Sequence, residues 1–391
     1  MPHFTITNTV ELQDLLDRLQ EAPVIAYDTE FISENRYFPQ LCLVQIAAGN
    51  LLALVDPLSV GNLDPLWELF CDGRREIVVH ACRSEMEFCH RAIGRMPSRL
   101  FDVQLAAGFL GCDYPTGYGT LLDRFLKVEL PKAESRTVWS KRPLTSQQVE
   151  YALGDVRYLE RLAQTQKKLL TEQGRLDWCN EENDRVKRNL QNDFEQPRWR
   201  NLPKTTGLKP RELAILRELW LWREHLARKR NSPASRVLRD DLVVELARRG
   251  TSDAKRISAV RGLQRSDLSR ILPELSAAVE RGLSLSKEEL PTVSERLSYP
   301  QYSVMAQFLY AALCSKCKQE RIAAQLVGGP GDVRELVAAE IGTLPEGIKP
   351  KLLGDWRTQL IGSFLSDLLN GRKSIRLDRS KPEDPLVFTD I

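Results

Sequence analysis

The chain has 391 residues, 42% of them hydrophobic and 28% charged, with a formal net charge of +3. That length exceeds one ordinary core, so two or three domains are expected, and the composition excludes collagen, coiled coil and extended disorder. No apolar run approaches the roughly 20 residues that cross a bilayer. The start, MPHFTITNTVELQDLL, has no basic segment followed by an apolar one, so no secretory signal is expected.

In chain order, the first 175 residues carry four β-rich runs: VIAYDTEF from Val24, LCLVQIAA, LLALVDP and EIVVHA ending at Ala81. Gly49-Asn50 is a hairpin signal between the second and third. PLWELFCDGRR then suits a helix crossing to the fourth run. Helical spacing follows in EMEFCHRAI, QLAAGFLG and YALGDVRYLERLAQTQKKLL. Three antiparallel strands followed by strands that alternate with helices predict an α/β sheet of mixed direction. NDFEQPRWRNLPKTTGLKP reads as a linker, and beyond about Asn201 the apolar spacing is helical throughout. The tail from about Ile375 shows no clear pattern.

Eight cysteines without an export signal read as reduced thiols of a cytoplasmic protein. Cys314 and Cys317 form the one CxxC, inside the apolar stretch FLYAALCSKC, and without a second pair they read as helix packing and not as a zinc or redox site.

Asp28-Thr29-Glu30 carries the strongest chemical signal. Alternation along a strand sets Asp28 and Glu30 on one face about 6–7 Å apart. Carboxylates that close repel unless a cation lies between them, which suits a hard divalent ion; a surface pair on an edge strand is the plain alternative. Glu85 opens the helix after the fourth strand run, and Tyr151 and Asp155, at i and i+4, share a helix face. Four carboxylates and a phenol from three segments can converge on two metals.

AYDTEF with RYFPQLCLVQIA, VVHACRSEMEF, LFDVQLAAGFLG, and GYGTLLDRFLKVEL with SRTVWSKRPLTSQQVEYALGDVRYL resemble ribonuclease D, a 3′–5′ exonuclease branch of the DEDD superfamily. The resemblance covers roughly residues 20–170, and residues 207–290 are similar to the helicase-and-RNase-D C-terminal domain. It implies an α/β ribonuclease-H-like exonuclease domain over 1–190, a linker over 191–206, a helical domain over 207–290 and a second, divergent helical domain over 296–375. By position, it implies Asp28, Glu30, Glu85 and Asp155 as ligands of two divalent ions, Mg²⁺ or Mn²⁺, and Tyr151, which marks the tyrosine subclass, as the residue orienting the attacking water. The family keeps Asp where this chain has Glu85; Glu87 lies on another part of the helix. A Glu standing in an Asp-sized site favours Mn²⁺, so Glu85→Asp is expected not to lower the Mg²⁺ rate. His80 is read as a core or supporting histidine, Asp102 as support for the site, and Asp56, Asp64 and Asp123 as turns or solvated faces.

Nucleic acid is expected along Lys132, Arg136, Trp139, Lys141 and Arg142, where cations flank a ring as in single-strand grooves, or else these form a loop anchored by its Trp. Gly117-Tyr118-Gly119 is read either as a close approach to the terminal nucleotide or as a simple turn, and Phe31 as a ring that stacks or wedges against the terminal base. Residues 207–290 hold 18 Lys and Arg against 12 Asp and Glu, net +6, so the remainder is −3. Arg228, Lys229, Arg230, Arg236 and Arg239 cluster there, either as a phosphate-binding patch or as a solvated face. The implied activity is metal-dependent removal of nucleotides from RNA 3′ ends, with tRNA precursors as substrates. No membrane and no obligate protein partner are expected. A DNA exonuclease and an RNA-binding protein with a weakened site stay open as alternatives.

Overall fold

The computed structural model describes residues 3–130, 137–263, 268–292 and 299–391. Its main sheet comprises β1 (Phe4–Ile6), β2 (Val24–Ile32), β3 (Gln40–Ala48), β4 (Leu51–Val55), β5 (Glu76–Val79) and β6 (Leu100–Asp102), in the order β1-β4-β3-β2-β5-β6. β3 and β4 are antiparallel, whereas β2 with β5, β5 with β6 and β1 with β4 run parallel, so the sheet is mixed, as expected. The outer strands β1 and β6 are three residues each, too short to leave a sequence period. Central strands are buried on both faces (Ile25, Ala26, Tyr27, Val44, Ile77 and Val78 among them), which is why they read as continuous apolar runs.

The chain divides into two compact units. One comprises the described residues of 1–30, 41–190 and 297–391, and the other those of 31–40 and 191–296. Residues 296–375 were expected to stand apart as a second helical domain. The structure groups the described part of that region with the sheet instead. The cause is a buried ion-paired seam: Arg357 donates through its Nη2 to both carboxylate oxygens of Glu182, at 3.2 and 3.0 Å, and through Nε and Nη2 to the carbonyls of Val327 and Leu326. Trp178 stacks on Trp356, and a Cβ on Gly108 would lie 2.5 Å from Leu326 Cδ1, so the leucine side chain would have to shift to admit one. Residues beyond Ile375, without pattern in the sequence, complete a hairpin of β7 (Lys373–Leu377) and β8 (Leu386–Asp390).

The second unit has its own core around the helices Pro210–Arg230, Asp240–Arg249 and Leu268–Ser284. The first and last touch so closely that a Cβ on Gly282 would lie 2.5 Å from Ile215 Cα. None of the eight cysteines forms a disulfide, and Cys317 is buried in the helix Ser303–Gln319 as the packing reading expects. No helix among the described residues is long and apolar enough to cross a membrane.

Candidate active site

Three elements bring the expected carboxylates together. β2 carries Asp28 and Glu30, both half-buried near its end. The helix Arg83–Ile93 begins just after β5 and presents Glu85 in its first turn, only 3% exposed. The helix Ser146–Arg157 presents Tyr151 and Asp155. Its start is fixed by a capping box, in which Gln148 N donates to Thr145 Oγ1 while Thr145 N donates to Gln148 Oε1.

Burial and neighbouring charges act on these groups together. Burial pushes Glu30 up to about 8, with the charges of Asp28 and Asp155 adding to it. Asp155 also rises to about 8, from burial and then Asp28, against an opposing hydrogen bond from the Tyr151 phenol. Burial raises Asp28 to about 6, opposed by hydrogen bonds from the Thr29 amide and Glu85 and by the charge of His80. Glu85 is raised by burial and then Asp28, and its Oε1 accepts the Thr29 hydroxyl at 2.9 Å. Tyr151 is raised by burial and by the charges of Asp155, Glu30 and Asp28.

Among the described residues no three His, Cys, Asp or Glu side chains form a ready-made metal cage. The carboxylates nevertheless share one another's fields, with no lysine or arginine among the causes acting on Asp28, Glu30, Glu85 or Asp155. Hard oxygen donors in mutual repulsion suit divalent cations such as Mg²⁺.

Supporting residues lie around the cluster. Asp102, buried at the end of β6, accepts from the amides of Ala81 and Cys82 at 3.1 and 2.9 Å. It also caps the helix Val103–Phe109 through the amides of Gln104 and Leu105. It thus fixes the turn that leads to Glu85, where Ala81 has a φ of 64°. His80 is half-buried, with Nε2 3.0 Å from the Thr116 carbonyl and its ring 5.6 Å from Tyr118. Tyr118 is half-buried, its enclosed hydroxyl beside the Tyr158 backbone and within electrostatic reach of Asp155 and Asp28.

The expected nucleic-acid strip changes character. Lys132 and Arg136 lie outside the described residues. Trp139 is only 6% exposed and packs its ring 6.0 Å from that of Tyr151. It is therefore largely buried and serves as an anchor for its loop. Arg142, expected to meet phosphate, is half-buried with all its donors engaged within the chain, donating to Asp56, Cys42, Trp139 and Lys141. Asp56, read from the sequence as a plain turn residue, is the buried partner of that guanidinium, and sequence reasoning missed it. Lys141 is exposed beside a cavity of about 460 Å³ that also borders Trp139, Gln148 and Tyr151. Phe31 follows Glu30 on β2, half-buried.

In the second unit the basic cluster is partly satisfied within the chain. Arg228 donates to the Tyr37 hydroxyl at 3.0 Å, Arg236 to Asn35, and Arg239 pairs with Asp241 at 2.8 Å. Tyr37 in turn donates to Glu224 at 2.7 Å.

Comparison with known proteins accords with this geometry. Residues 3–171 match the family model for a 3′-5′ exonuclease, and residues 212–279 match that for the HRDC domain. Ribonuclease D of Nitrobacter hamburgensis is 32% identical over 382 residues, covering 96% of this chain and 97% of its own length. Ribonuclease D of Zymomonas mobilis is 33% identical over 386 residues, with 97% of both chains covered. The crystal structure of Escherichia coli RNase D, an exoribonuclease involved in structured RNA processing, aligns with a TM-score of 0.82 at 28% identity over 95% of this chain and 99% of that one. On full-length similarity, fold and domain content together, the chain belongs to the ribonuclease D family of 3′–5′ exoribonucleases.

Proposed function

We propose that this exoribonuclease removes nucleotides from the 3′ ends of structured RNAs, tRNA precursors among them, at the cluster of Asp28, Glu30, Glu85 and Asp155, with two divalent cations and in the cytoplasm. The observation that supports the site is the elevation of Glu30 and Asp155 to about 8, by burial first and then by the charge of Asp28 on both, because partly buried carboxylates that raise one another's pKa are relieved by a bound cation. Bound there, divalent ions would supply charge for the scissile phosphate and lower the pKa of water. The chain's own residues do the rest. Thr29 holds Glu85 toward Asp28, and Asp155 accepts the phenolic proton of Tyr151 in a hydrogen bond. The phenol oxygen thereby keeps a lone pair for orienting the attacking water, a task of geometry that needs no shifted pKa.

The test is a 5′-labelled RNA in Mg²⁺, run beside a DNA of the same sequence. A ladder shortened one nucleotide at a time from the 3′ end is expected for RNA, and Asp28→Asn should abolish it while leaving RNA binding intact. Internal cuts, or an unimpaired Asp28→Asn enzyme, would refute the proposal. A tRNA precursor carrying extra 3′ nucleotides tests the substrate, and failure to trim it while short RNA is degraded would remove that part alone.

A further inference from the structure

Arg142 is unusual in leaving nothing of its guanidinium unused. Such a group has five N–H donors. Here Nε donates to Asp56 Oδ2 at 2.6 Å and Nη2 to Asp56 Oδ1 at 2.7 Å. Nη2 also reaches the Cys42 carbonyl at 2.7 Å, and Nη1 the carbonyls of Trp139 and Lys141 at 2.7 and 3.0 Å. Asp56 is equally occupied, accepting as well from the Leu58 amide and the Ser59 hydroxyl, both at 3.0 Å. Burial works against its charge, but Arg142 and Ser59 hold it below the usual carboxylate range. The pair is thus neither a phosphate contact nor a metal ligand. It ties the loop around Trp139 to the ends of two sheet strands.

What that loop carries is the Trp139 ring, tilted 40° against Tyr151. A cavity of about 460 Å³ also borders Tyr151, so the phenol has open space beside it and Trp139 as a wall. We infer that Asp56 and Arg142 are positioning residues for hydrolysis, acting through Trp139 to hold the Tyr151 phenol in register with Asp155. The inference rests on the role of Tyr151 proposed above. Bidentate geometry makes lysine a poor substitute for Arg142, and displacement of a catalytic group by about 1 Å can cost on the order of 100-fold.

The experiment is a double-mutant cycle on the full chain with short RNA and saturating Mg²⁺. Asp56→Asn is expected to lower kcat about tenfold with KM changed less than about twofold, and Arg142→Lys to do the same. In a Tyr151→Phe background, where no phenol is left to misplace, Asp56→Asn should cost less than about twofold. An equal loss in both backgrounds, or no loss in either, overturns the inference. Full activity of Tyr151→Phe alone would overturn the Tyr151 role beneath it and the inference with it. Should Asp56→Asn fail to give a cooperative thermal transition, Trp139→Phe takes its place in the cycle, with the same outcomes deciding.

Discussion

Shortening Glu85 to Asp probes how well the site is built around the residue that departs from its family. One methylene withdraws the carboxylate by about 1.5 Å, the length of a C–C bond. The Thr29 Oγ1 to Glu85 Oε1 contact, 2.9 Å in the native chain, would open to roughly 4.4 Å, beyond any hydrogen bond. Thr29 is 6% exposed and Glu85 3%, so the hydroxyl would lose its partner in a place that water reaches poorly. That costs about 1–3 kcal/mol. The surroundings are therefore fitted to Glu, which reverses the expectation drawn from sequence that Asp would serve Mg²⁺ as well or better. Glu85→Asp should lower the Mg²⁺-supported rate at least about tenfold, because Mg²⁺ tolerates displaced ligands poorly. Mn²⁺ should recover part of the loss, and the melting temperature should fall by a few degrees. Turnover of both forms in both metals, with thermal melts, decides the matter. A Glu85→Asp enzyme as fast in Mg²⁺ and as stable as the native one would refute the reasoning.

Further outcomes follow from the same geometry. Arg357→Ala should destabilise by about 1–3 kcal/mol, since the carbonyls of Val327 and Leu326 lose a buried donor while Glu182 keeps Arg185. Arg239→Ala, from the exposed pair with Asp241, should cost under about 1 kcal/mol, and equal losses in denaturant titrations would contradict this contrast. Without divalent ions, Glu30 and Asp155 titrate near 8 when folded, against 4.5 and 3.8 as reference values. The folded state then holds more protons than the unfolded one across that window, so this contribution to stability is full below about pH 4 and is lost as pH rises through 8. Added Mg²⁺ should therefore raise the melting temperature little at pH 5 and more at pH 8.5, and a gain independent of pH would count against binding at these carboxylates.

What could be seen in the sequence was what local periodicity carries. Alternation placed Asp28 and Glu30 on one strand, and an i, i+4 spacing placed Tyr151 with Asp155. The mixed sheet followed from strand-like runs bounded by turns. What could not be seen depends on partners far along the chain. Arg142 and Asp56 are 86 residues apart, and Arg357 lies 175 residues from Glu182. A cation beside a tryptophan reads equally as a groove for a strand or as a buried clamp, and only the carboxylate opposite Arg142 distinguishes them. Thr29, between the two carboxylates, attracted no notice for the same reason: its partner Glu85 is 56 residues away. The terminal hairpin escaped because β7 and β8 are only partly covered and mix charge with apolar residues.

The account turns on divalent cations bound by the carboxylate cluster. Anomalous scattering from crystals soaked in Mn²⁺ with a 3′-terminal nucleotide tests it most directly. Two peaks are predicted, ligated among Asp28, Glu30, Glu85 and Asp155, with the Tyr151 hydroxyl turned toward the phosphate. Manganese bound elsewhere, or an active enzyme whose cluster takes none, would contradict it.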